Sequence, residues 1–244
     1  MWLLAFLFIL LNAIYFFACR FSYLMYQIMY KTRPKEKKRD KSVDKVKTLI
    51  VIGSGGHTTE MMLLVEKLDF RNYSPRTYVI ADTDTMSEGK VLRCEGENEG
   101  ENEVKEGKNE AKNEVKECEN EVNEVNKDYK ILKIPRSREV HQSFLTSVIT
   151  TLESIFYTLP IMLRVNPDLI LCNGPGTCIP VCVIAFLMRL FFVSNNRIIF
   201  VESVCRVQTL SLTGKILLFI ADEVLVQWPD LTAEYPRAKF IGRL

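Results

Sequence analysis

Between Lys47 and Leu244 the chain repeats one alternation that leaves few folds open. A short β-branched run is followed by a polar or glycine-rich turn, then by apolar residues at helical spacing. "KTLIVIG" reads as a first strand and "RTYVIAD" (76–82) as a second. "YKILKIP" (129–135), "DLILCNG" (168–174), "RIIFVES" (197–203), "DEVLVQW" (222–228) and a short "AKFIG" (238–242) complete the series. Helical patterns fall at Thr58–Leu68, Ser143–Arg164, Ile179–Phe192 and Leu210–Ile220; Pro160 is expected to kink or end the second of these. Six or seven strands alternating with helices predict an α/β, Rossmann-like doubly wound parallel sheet. Ligands of such sheets bind beyond the carboxyl ends of the strands.

Outside that body, residues 1–30 read as a transmembrane anchor. From Trp2 to Cys19 every residue but Asn12 is apolar, and "FSYLMYQIMY" continues as an interfacial helix end. A cleaved signal peptide would place basic residues before the apolar run. Here they follow it, in a basic linker over 31–46 that includes Lys31, Arg33, Lys37, Lys38 and Arg39. The positive-inside rule then puts the body, 47–244, on the cytosolic side. The apolar stretch "IPVCVIAFLMRLFF" is too short to span and carries Arg189, so it is expected as a buried helix.

Residues 94–128 interrupt the body with repeated Asn-Glu pairs and almost no large apolar side chain. Such a segment cannot bury enough surface to offset ordering, so it is expected to be a disordered acidic insert without chemistry. The seven cysteines are odd in number and lack CxxC spacing. They are expected to be reduced core thiols rather than a metal site.

Chemistry is expected where strands end. In "IGSGGHTTE", Gly53, Ser54, Gly55, Gly56 and Thr58 form a turn that lets an anion approach backbone N–H groups at a helix start. A dinucleotide fingerprint would need glycine at Thr58, and a P-loop would need Gly-Lys-Ser/Thr, so NAD and ATP are disfavoured. His57 opens the helix, where the positive dipole end favours a neutral imidazole usable as a general base; an ordinary turn residue is the other reading. His141, on a basic loop, is expected to contact rather than catalyse. Asn173, Gly174 and Gly176 form a second glycine turn. Glu202 could orient a hydroxyl or act as base, and Arg206 could grip a phosphate; a structural Glu202–Arg206 ion pair is the alternative. Asp82 and Asp84 could hold a metal but suit an Asx turn better.

Taken together, "GSGGHT", "ADTD", "IPRSREVHQS", "CNGPGTCIPV", "VESVCRVQTLSLTGKIL" and "FIGRL" resemble the membrane-anchor subunits of the GlcNAc transferase of dolichol-linked oligosaccharide assembly in asparagine-linked glycosylation. The resemblance covers nearly all of Val46–Leu244 apart from the acidic insert. It implies the acceptor-side half of a GT-B glycosyltransferase, paired with a soluble catalytic subunit that binds UDP-GlcNAc. The implied reaction adds a β-1,4-linked GlcNAc to GlcNAc-diphosphodolichol on the cytosolic face of the endoplasmic reticulum. The family's tail, implicated in gripping the partner, maps to Phe240, Ile241 and Leu244. One strand–helix domain ending near Leu244 is consistent with half an enzyme, inactive alone. No cofactor, metal or nucleic acid is expected. A pure scaffold, or a self-sufficient metal-dependent transferase using Asp82 and Asp84, are the competing readings.

Overall fold

The computed structural model describes residues 1–30, 45–106, 128–137, 142, 144–174 and 176–243. Residues 31–44 of the basic linker, residues 107–127 of the acidic insert, His141 and Leu244 lie outside them. Seven strands form the sheet: β1 (Thr48–Val51), β2 (Arg76–Ala81), β3 (Tyr129–Ile134), β4 (Leu169–Asn173), β5 (Arg197–Val201), β6 (Glu223–Val226) and β7 (Ala238–Phe240). The helices are α1 (Trp2–Tyr30), α2 (Gly56–Val65), α3 (Thr85–Glu106), α4 (Phe144–Val165), α5 (Cys178–Leu190), α6 (Leu212–Ile220) and α7 (Asp230–Glu234). All strand pairs are parallel, in the order β3-β2-β1-β4-β5-β6-β7. The chain therefore reverses its winding between β1 and β4, and the loops leaving these two neighbours open a crevice.

Both sheet faces are covered, which is why the strands read as continuous apolar runs rather than as alternating ones. Leu49 and Val51 point to one core with Ile170, Cys172 and Phe200 and the apolar side of α5. Ile50 and Ile52 point to the other, with Met61, Met62 and Val65 of α2 and Val91 of α3. In α5 the one charged residue, Arg189, is 2% exposed and forms an ion pair with Asp222, Nη1 to Oδ2 at 2.9 Å. The apolar "IPVCVIAFLMRLFF" stretch is thus a core helix, as expected. Leu24 and Ile28, near the end of α1, pack against Phe186 of α5, while most of the rest of α1 is exposed. α1 is long and apolar enough to cross a membrane, with a mean hydropathy of 2.3.

α4 continues past Pro160 to Val165, so of the two expected outcomes the proline does not end the helix. Two helices depart from expectation. α7 was not anticipated. Nor was α3, whose later turns are built from acidic, apolar-poor sequence. Cys94 and Glu95, expected to begin the insert, are buried in α3. Arg76 reaches Glu95 bidentately, Nε to Oε1 at 2.8 Å and Nη2 to Oε2 at 2.7 Å, and Tyr78 also donates to Oε1. The Nη1 N–H groups donate to the carbonyls of Phe70 and Tyr73, and the Arg76 guanidinium lies 4.0 Å above the Phe70 ring centroid. Burial, reinforced by the charge and hydrogen bond of Glu95, pushes the Tyr78 phenol well above its ordinary value, so it stays a donor.

Because Arg76 is 3% exposed, Glu95→Ala strands a buried cation. The expected loss is about 3–5 kcal/mol of folding free energy, read as a shift in the denaturant midpoint.

Candidate functional site

Three strand-to-helix loops meet beyond the carboxyl ends of β1, β4 and β5. In the first, Gly55 has φ 67° and ψ −123°, a conformation open only to glycine, and this turn starts α2. Thr58, expected among the anion-binding residues, is turned inward instead. Its Oγ1 donates to the carbonyl of Gly53 and contacts Ser87 Oγ at 2.7 Å. Ser87 in turn donates to Asp84 through Oγ at 2.6 Å and its backbone N–H at 3.1 Å. Asp84 therefore caps α3, the turn reading of "ADTD", while Asp82 is exposed. Among the described residues no group of three His, Cys, Asp or Glu side chains stands in metal-binding arrangement.

In the second loop, Gly174 has φ 85°, and a Cβ built there would overlap the His57 ring, with Nδ1 the nearest atom. The imidazole occupies the space that any other residue would fill. His57 Nδ1 lies 2.9 Å from Oδ1 of Asn173, which is wholly buried. Asn173 Nδ2 donates to Oε2 of Glu60 at 2.9 Å. The other oxygen of Glu60 accepts from Ser203 Oγ at 2.8 Å and from the Val204 N–H at 3.3 Å. All three loops are tied through this chain of bonds.

Glu202, in the third loop, is 1% exposed. Its carboxylate accepts from the Ser211 N–H at 2.8 Å, Ser211 Oγ at 2.9 Å and the Ser203 N–H at 3.1 Å. Ser211 uses the same Oγ to cap α6, accepting from the Gly214 N–H at 2.9 Å. These bonds tie the carboxylate into the loop, with Oε2 accepting two of them and Oε1 one. Arg206 forms no ion pair with Glu202 among the described residues and is exposed.

The three loops enclose a cleft of about 730 Å³. Ser54, Gly56, His57, Gly174, Gly176, Glu202 and Arg206 line it, as does Arg136 from the loop after β3. Gly53 and Gly55 shape the first turn without lining the cleft, and Asn173 lies behind His57. The starts of α2, α5 and α6 all border the cleft, and each presents free N–H groups and a positive dipole end. Thr177, 6% exposed at the start of α5, lines the cleft, and its Oγ1 has no hydrogen-bond partner among the described residues. With two guanidiniums added, the arrangement is suited to a polyanion such as a diphosphate. Behind Asn173, Cys172 and Cys182 lie 3.6 Å apart, and Cys178 Sγ donates to the Asn173 carbonyl. Hydrogen bonding to its two neighbours, then burial, pushes the Cys172 thiol up, so it stays neutral.

Sequence reasoning missed Glu60, Arg136, Thr177 and Ser203. Glu60 had a signal, since it follows His57 by one helical turn and can share its face. Phe240 and Ile241 lie away from the cleft, exposed on and just after edge strand β7.

A parallel sheet in this order, with a glycine-loop cleft at its switch point, is a Rossmann-like fold of the kind found in each half of GT-B proteins. MurG from Acinetobacter baumannii matches it with a TM-score of 0.50 at 13% sequence identity, over 81% of this chain and 45% of MurG. Residues 48–244 match the family model described as oligosaccharide biosynthesis protein Alg14 like. The chain is 45% identical to the UDP-N-acetylglucosamine transferase subunit ALG14 of Mus musculus, over 82% of this chain and 84% of the relative. The human subunit is 44% identical over 80% and 82%, and that of Schizosaccharomyces pombe 40% over 80% and 81%. The chain belongs to the Alg14 family, the ALG14 subunits of UDP-N-acetylglucosamine transferase.

Gly174→Ala is expected to drive the His57 ring out of its seat and to cost about 1–3 kcal/mol through overpacking. Thermal unfolding, with the histidine NMR signals as a report on ring position, checks both effects.

Proposed function

We propose that this chain is the membrane-anchoring, acceptor-side subunit of a two-chain transferase that adds the second GlcNAc, β-1,4-linked, to GlcNAc-diphosphodolichol. The observation that carries the reading is the convergence of three helix N-termini, Arg136 and Arg206 around His57 in one cleft. A lipid-linked diphosphate supplies the charge this cleft attracts, while its sugar hydroxyl lies near the imidazole. The soluble catalytic subunit brings UDP-GlcNAc. The acceptor's 4-hydroxyl oxygen then bonds to the anomeric carbon of the donor GlcNAc. The bond from that carbon to UDP breaks, its electron pair leaving on the phosphate oxygen, and the hydroxyl proton passes to His57. Glu202, held by Ser203 and Ser211, keeps the third loop in place and is the rival candidate for the base.

The membrane half of the reading draws on α1 and on α4, both of which pack against α5. α4 buries Met162 but exposes Val148, Ile149, Leu152, Phe156, Tyr157 and Leu163. An apolar helix face of that kind can lie in the headgroup region beside the anchor and bring the cleft to the lipid diphosphate. The membrane is that of the endoplasmic reticulum, with the body facing the cytosol. Exposed Phe240 and Ile241, with the tail running on to Leu244, offer the partner an apolar edge.

The test is co-purification followed by GlcNAc transfer, with each chain alone and both together. Transfer is expected only with both. Losing residues 241–244 abolishes the complex. His57→Ala keeps the complex and lowers transfer by about 10²–10⁴-fold, the usual contribution of a general base. Unchanged transfer in His57→Ala would reduce the chain to a scaffold. Replacing Arg136 and Arg206 together by Ala is expected to raise the acceptor KM and leave partner binding intact.

A further inference from the structure

We infer that Glu60, acting through Asn173, fixes His57 as the tautomer protonated on Nδ1, leaving the Nε2 lone pair for the cleft. The argument begins with the group whose role is least ambiguous. A carboxylate has only acceptor oxygens, so the amide atom 2.9 Å from Glu60 Oε2 must be the NH₂ of Asn173. Ser203 Oγ and the Val204 N–H, which donate to the other oxygen of Glu60, hold that carboxylate in place. With its NH₂ committed, the Asn173 amide presents its oxygen to His57, and an amide oxygen cannot donate. The 2.9 Å contact is therefore Nδ1–H donating to Oδ1. In the neutral ring the proton on Nδ1 leaves Nε2 with its lone pair. Nε2 makes no hydrogen bond among the described residues, and His57 lines the cleft.

The geometry also prevents the ring from escaping this arrangement. Gly174 leaves space that the ring fills, with Cγ and Cε1 only 2.5 and 2.6 Å from where a Cβ would stand. Asn173 is wholly buried, so water does not compete for either end of its amide. Glu60 and Asn173 are accordingly positioning residues, and of these three side chains His57 is the one that meets the reacting hydroxyl. The role in transfer rests on the reading of His57 as the proton acceptor. The tautomer assignment does not.

The sequence holds two histidines, so the full chain labelled with [¹⁵N]histidine in detergent micelles gives two imidazoles to assign, and His141→Gln separates them. Wild type is expected to show the Nδ1–H pattern for His57 in two-bond ¹H–¹⁵N correlation spectra. Glu60→Gln presents an amide that can both donate and accept, which frees Asn173 to turn and lowers the Nδ1–H population. In the two-chain assay kcat is expected to fall by the same factor as that population. Pairing Glu60→Gln with Asn173→Asp rebuilds the polarity. The amide introduced at position 60 can then donate to the carboxylate introduced at position 173, which in turn accepts from Nδ1–H. The pattern and kcat both recover. An Nε2–H pattern in wild type overturns the inference, as does an unchanged pattern in Glu60→Gln. So does failure of the folded double variant to regain the Nδ1–H pattern. Unchanged transfer in His57→Ala removes the general-base reading instead, and leaves the tautomer result standing.

Discussion

The imidazole of His57 sits where a side chain at position 174 would have to go, and the architecture of the cleft depends on that exclusion. It requires the loops after β1 and β4 to be neighbours, which the sheet order supplies by placing those strands side by side at the reversal of winding. It also requires glycine after β4, with φ 85°, so that the second loop can close over the ring. Once the ring is seated, Asn173 is within reach of both His57 and Glu60, and Glu60 in turn holds the loop after β5 through Ser203 and Val204. The three loops become one polar assembly facing a cleft that also carries Arg136 and Arg206. Little rearrangement of the protein is then needed when an anion arrives.

Much of this frame was legible in the chain itself. β-branched runs between turns gave all seven strands, because strands buried on both faces need apolar residues at every position. The glycine turns and His57 stood out for the same reason, since backbone conformation and helix starts restrict residue type strongly and locally. What was hidden depends on partners distant in sequence. Glu202 looked like a free carboxylate beside an arginine, yet its partner is Ser211, nine residues on in the next helix cap. Thr58 appeared to face the ligand until Ser87 claimed it. α3 was missed because its later turns lack an apolar stripe. Its attachment comes from Val91, Cys94 and the buried carboxylate of Glu95, which only the position of Arg76 explains.

The exposed apolar helices and the polar cleft fall on separable parts of the molecule. α1 and the apolar face of α4 share α5 as their support, and α5 begins at the cleft with Thr177 and ends beside Arg189 and the α1 contact. One core helix thus connects the apolar exterior to the polar cleft. The opposite sheet edge, β7, carries the exposed Phe240 and Ile241, and their neighbour Arg243 lies 4.1 Å over the ring of Trp228. Trp228 donates to the carbonyl of Val204, a residue of the third loop. This exposed apolar edge is therefore built onto the same loop that helps hold Glu60.

The clamp between Arg76 and Glu95 has a consequence for how this chain can vary in length. The acidic segment leaves the body after Glu95, which is bound by the side chains of Arg76 and Tyr78. It returns at Asp128, whose carbonyl accepts from the Arg76 N–H at 2.9 Å, and at Tyr129, whose ring meets that of Tyr78 edge-on. Both ends are pinned to the same two residues of one strand. None of the described residues between these ends lines the cleft, so a change in the length of that stretch falls outside the site.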